Sequence, residues 1–154
     1  MERSYSLLLL FLALFSLKSF NLLCSAADPT DGFTPVPLTE ANFVLQKPYN
    51  GLDCSSGVWQ FEGYGFVPNG TSSVTVAQIH GAFHGATTLI LRIYDGNMRY
   101  YSGDLVATDP YDKWFRLNII HDVDGGRLTV FIDGEERYST HDQGPGDLYF
   151  KCGV

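Results

Sequence analysis

From Val58 onward, every periodic stretch of this 154-residue chain alternates apolar and polar residues with a period of two, and such a chain folds as strands packed face to face. The stretches run from Val58 to Val67, Val74 to Ala82, Thr87 to Tyr94, Met98 to Leu105, Trp114 to His121, Leu128 to Ile132 and Leu148 to Gly153. None has a helical period. Asp95-Gly96, Asp124-Gly125-Gly126, Asp133-Gly134 and Gly144-Pro145-Gly146 separate them, and Asp-Gly is a signature of tight hairpins. The pattern predicts an all-β fold, a meandering antiparallel β-sandwich. Leu89, Leu91 and Ile93 share an apolar face opposite Ile90, Arg92 and Tyr94, and Phe115, Leu117 and Ile119 lie opposite Trp114, Arg116 and Asn118. Trp59 and Trp114 are expected in the core, where aromatic rings contribute most of their burial.

The chain before Val58 has a different character. Arg3, an apolar stretch from Leu7 to Leu17 and the small residues Ser25-Ala26-Ala27 read as a secretory signal over residues 1–27, cleaved after Ala27. Ser16, Lys18, Ser19 and Asn21 break the apolar stretch well short of the ~20 residues a membrane span needs, so no span is expected in the mature chain. Residues 28–50, with Pro29, Pro35, Pro37 and Pro48, form a Pro-rich lead-in, and residues 51–154 form a single β-domain. An oxidising route permits a bridge between Cys54 and Cys152; Cys152, alternating with Leu148 and Phe150, also reads as a core position. Asn69-Gly70-Thr71, after Pro68, is an N-glycosylation sequon in a turn-like stretch.

Within Val74 to His80 strict alternation places Val74, Val76, Gln78 and His80 on one face, with Gln78 and His80 roughly 7 Å apart. An amide there can hold a carboxylate or hydroxyl while an imidazole, titrating near ~6.5, handles a proton on the same ligand. The alternative is two polar residues on a solvated sheet face. The net charge of −7 makes nucleic acid an unsuitable partner, so any anion must be held by a local cluster of basic groups. No metal site is expected: Asp122, Asp124 and Asp133 sit where Asp caps its own turn, and His80 and His84, four apart on a strand, would lie ~13 Å from each other. No cofactor is implied.

Gln78-Ile79-His80 and the closing Tyr149-Phe150-Lys151-Cys152-Gly153 resemble two of the three signature strands of the alginate lyase family 7 fold, a concanavalin-like β-jelly roll with a concave groove. Gly57 to Tyr64, Tyr111 to Asn118, His121-Asp122-Val123 and Val130 to Gly134 resemble the plant branch of that family, which includes citrate-binding proteins. The resemblance implies a secreted or vacuole-routed protein on a polysaccharide-lyase scaffold. Two family features have no counterpart: the Arg-Thr-Glu strand, whose arginine neutralises the uronate carboxylate, and the tyrosine that follows the closing glycine as catalytic acid or base. A spliced, truncated form with an incomplete sheet is therefore expected, along with no useful turnover, because β-elimination needs both carboxylate neutralisation and an acid–base pair.

Three functions follow as expectations. The first is non-catalytic binding of citrate or another acidic ligand through Gln78, His80, Arg92 and Lys151. The second is a polysaccharide lyase acting by β-elimination on uronate polymers, with Gln78 and His80 as its remnant. The third is a lectin-like module using Tyr94, Tyr100 and Tyr101 for neutral sugars.

Overall fold

The computed structural model describes residues 28–35 and 55–152. The expected leader to Ala27, most of the expected lead-in, Cys54 and the residues after Cys152 lie outside the described residues, and the expectations placed on them are not addressed by the fold. Among the described residues nine strands form two antiparallel sheets, as the period-two pattern requires. They are β1 (Val58–Phe66), β2 (Val74–Ala82), β3 (Ala86–Tyr94), β4 (Asn97–Tyr100), β5 (Leu105–Thr108), β6 (Trp114–Asp122), β7 (Arg127–Ile132), β8 (Glu135–His141) and β9 (Tyr149–Cys152). The described helix is one short 3-10 turn at Phe83–Gly85.

The order is β1-β6-β7-β8 in one sheet and β5-β4-β3-β2-β9 in the other. The fold is therefore not a plain meander. Two meanders, β2 to β5 and β6 to β8, each take in one distant strand: β1 joins β6 and β9 joins β2. The expected strand from Met98 to Leu105 is broken into β4 and β5, because Tyr101 turns to a positive φ of 52° and Tyr100 N bonds to Asp104 O at 2.9 Å. The polar strand β8, absent from the periodic reading, pairs with β7 at the sheet's edge.

Leu89, Leu91, Ile93 and Met98 from one sheet meet Ile119, Leu128 and Val130 from the other, all nearly or fully buried. Each such side chain contributes roughly 1.5–3 kcal/mol by leaving water. Phe61 of β1 stacks on Phe150 of β9 at 4.1 Å and ties the two sheets at that side. Trp59 and Trp114 are not core residues: they are 38% and 69% exposed. Their expected places are filled differently, since Trp114 lies on the outer face opposite Phe66, and Trp59, at the sandwich end, sends its ring N–H to Ser56 O at 2.7 Å. Cys152 likewise is exposed, at the end of β9.

Two contacts fix the arm that leads from β8 into β9. His121 and Asp142 form a buried pair at 3.0 Å, and Gln143 N donates to the buried Thr88 Oγ1 at 3.2 Å. Gly81 and Gly146 permit the closest approach, for a Cβ on Gly81 would strike Asp147 O and one on Gly146 would strike Gly81 O.

Candidate functional site

The site begins with an irregularity in β2 and β3. His80 pairs with Thr87 while Ile79 pairs with Leu89, so Thr88 is an extra residue and the strand bulges. The bulge turns Thr88 into the core and Thr87 outward, onto the face that carries Gln78 and His80. Thr87 Oγ1 accepts from Gln78 Nε2 at 3.1 Å and lies 2.8 Å from His80 Nδ1. The Thr87 hydroxyl thus anchors the Gln78 amide and the His80 ring together.

Strand β9 completes the cluster. Lys151 is directly opposite Gln78, and Tyr149 is opposite His80. The Tyr149 ring meets the His80 ring edge-on at 5.3 Å, and Lys151 Nζ lies 5.1 Å from the Tyr149 centroid, within cation–π range. An amide, an imidazole, a phenol and an ammonium thus occupy neighbouring positions on two strands about 4.8 Å apart. All four are half-buried. Such a group can hold a carboxylate by charge-assisted bonds.

Arg92 shares this outer face but stands farther along β3, with Nε 3.3 Å from Thr75 Oγ1 and Nη1 2.8 Å from Tyr94 Oη. Directly across from it is Arg99 of β4, which the sequence reading did not single out. The signal was present: the Asp95-Gly96 turn pairs Tyr94 with Asn97, and that register puts Arg99 beside Arg92. Although the family's Arg-Thr-Glu motif has no match, two arginines therefore lie on this face.

The expected tyrosine platform does not form. Tyr100 faces inward, stacks on Tyr138 at 4.8 Å and donates to Thr88 O at 3.2 Å; burial pushes its phenol up to about 12. Tyr101 is 41% exposed and bonds to Thr87 O at 2.5 Å, next to the Gln78–His80 cluster. Asn69 is exposed in the loop after β1, as a sequon requires. Among the described residues no group of three or more His, Cys, Asp or Glu side chains could hold a metal ion.

A hollow lies elsewhere. An apolar cleft of about 500 Å³, lined by Phe61, Phe66, Val74, Val76, Phe115 and Cys152, opens between β1 and β2; Val74 and Val76 do not share the face of Gln78 and His80 as the alternation predicts, because Val76 is an extra residue between Thr75 and Ala77 and the bulge shifts the alternation. Burial against this wall raises the Cys152 thiol. The cleft's lining holds no charged side chain.

The sequence model of the alginate lyase family matches residues 38–154. The chain belongs to the alginate lyase family. A relative within reach of this membership is the citrate-binding protein of Hevea brasiliensis, 46% identical over 85% of this chain and 71% of its own length. That alignment extends over 171 positions, more than the chain's 154 residues, so the relative carries residues inside the match that have no counterpart here. Among solved structures of alginate lyases, the crystal structure of the Corynebacterium sp. enzyme shares 22% identity over 62% of this chain and 43% of its own, with a TM-score of 0.45. An alginate lyase of polysaccharide lyase family 7 gives 19%, 62%, 44% and 0.45. The chain spans less than half the length of these two enzymes.

Proposed function

We propose that the outer face of the five-stranded sheet binds a small polycarboxylate, with citrate the first candidate, and does so without cleaving a bond. The observation that carries this reading is the convergence of Gln78, His80 and Lys151 on adjacent strands, with Thr87 fixing the amide and the imidazole. The name of the Hevea relative supports the choice of citrate. Isothermal titration of the protein with citrate tests it. Lys151→Gln is expected to cost about 1.5–3 kcal/mol of binding, the worth of a hydrogen bond to a charged group. A wild-type protein that takes up no citrate overturns the reading.

One observation favours a second reading, β-elimination on uronate polymers: the Tyr149 phenol stands beside the His80 imidazole, an acid and a base on one face. The test is the absorbance of the unsaturated product from alginate or glucuronan. Turnover on the order of 1 per second or more would establish the lyase, and the binding reading expects none. The leader over residues 1–27 and the exposed Asn69 sequon support routing through the secretory pathway to the wall or vacuole, with a glycan on Asn69. Amino-terminal sequencing and glycosidase treatment of the mature protein check both.

A further inference from the structure

Arg92 and Arg99 are an unusual pair. They are direct cross-strand partners on the outer face of β3 and β4, both half-buried, and like charges placed directly opposite each other destabilise a sheet. The chain has 17 acidic residues, yet among the described residues neither arginine meets a carboxylate. By contrast Arg116, Arg137 and Lys113 each hold one. The partners of Arg92 and Arg99 are neutral: Thr75 Oγ1 and Tyr94 Oη for the first, Gly103 O at 2.7 Å for the second. A guanidinium carries more donors than these contacts use.

The pair is also placed with respect to the cluster at Gln78. Ile90 pairs with Gln78 and precedes Arg92 by two residues on the same face, so an apolar floor separates the two basic groups. Lys151 and Arg99 stand three strand spacings apart across the sheet and two residues apart along it, roughly 16 Å, a gap that their long side chains can narrow from both ends. A ligand engaging both ends must carry at least two anionic groups.

We propose that Arg92 and Arg99 form a second anion subsite, which takes a further carboxylate of the polycarboxylate whose first carboxylate sits at Gln78, His80 and Lys151. The inference rests on the binding reading above and adds the residues that select a di- or tricarboxylate over a monocarboxylate. Repulsion between the two guanidiniums in the free protein is relieved when the anion arrives, so binding and stability are coupled through one pair.

The test is titration of wild-type and Arg99→Gln protein with citrate and with acetate, alongside thermal midpoints at low salt. Citrate affinity is expected to fall about tenfold or more in Arg99→Gln, acetate affinity to change less than about twofold, and citrate to raise the midpoint less than in wild type. Citrate affinity within about twofold of wild type overturns the subsite. Should Arg99→Gln fail to unfold cooperatively, Arg99→Lys replaces it: the charge is kept but the bidentate fork is lost, and citrate must still weaken. If wild-type protein binds no citrate, the earlier reading fails by itself, and sulfate decides the subsite. A sulfate-dependent midpoint rise that Arg99→Gln abolishes upholds it; no rise in wild type overturns it.

Discussion

Asp28 shows how much one side chain can hold. Its carboxylate accepts from the Thr30 hydroxyl at 2.6 Å, from Thr30 N at 3.0 Å and from Arg116 Nη2 at 2.7 Å, so the segment that begins at Asp28 is fastened to the outer face of β6. The Thr30 hydroxyl first, then its backbone N–H and the Arg116 guanidinium, lower the Asp28 carboxyl to about 2. A folded-state value below the unfolded one means stability that is present above about pH 4 and lost as the pH falls toward 2. Asp28→Asn is therefore expected to melt below wild type at neutral pH, with the difference closing across that window. Thermal midpoints measured at several acidic pH values check this, and parallel curves would show that the clasp contributes nothing. Arg116, read from the alternation as an outward residue, was legible in its direction. Its partner was not, because periodicity fixes which way a side chain points and carries no information on contacts 88 positions apart.

At the scale of elements, the seam between β2 and β9 decides whether the face proposed for the ligand is assembled. Gly81, at a φ of +98°, has no room for a Cβ against Asp147 O, and the residues that follow Asp147 are those of β9. Gly81→Ala is expected to cost about 1–3 kcal/mol through backbone strain and overlap, and to weaken citrate binding by moving Lys151 and Tyr149. Denaturant unfolding and titration measure the two effects; citrate binding at wild-type strength would remove β9 from the site. Strands β2, β3, β6 and β7 were legible because each buries one face, and the alternation survives in the sequence even where bulges interrupt it in β2 and β3. Strand β8, Glu135-Glu136-Arg137-Tyr138-Ser139-Thr140-His141, was not, because an edge strand pairs on one side and tolerates polar residues throughout. The neighbours of β1 and β9 were hidden for another reason: both pair across the chain, and a period of two names a face without naming a partner.

For the whole molecule, the core residues of both sheets pack into one cluster, so the sheets should unfold together. Leu91→Ala in one sheet and Leu128→Ala in the other, each at a fully buried position, are expected to lower a single shared transition by about 2–5 kcal/mol apiece. Two separate transitions in calorimetry would mean that the sheets are held together less firmly than the strands within them. Expectations for Trp59 and Trp114 failed because a sheet of this size has only one inner face, and Phe61, Phe115 and Leu117 already occupy its share near β1. Their actual positions carry a practical consequence. The chain's two tryptophans both stand on the four-stranded sheet, where water reaches them, and neither stands on the face of Gln78, His80 and Lys151. Intrinsic tryptophan emission is thus a gauge of the four-stranded sheet: citrate seated at the proposed site should leave it dark to the event, and a ligand that shifts the emission colour has docked beside Trp59 or Trp114 instead.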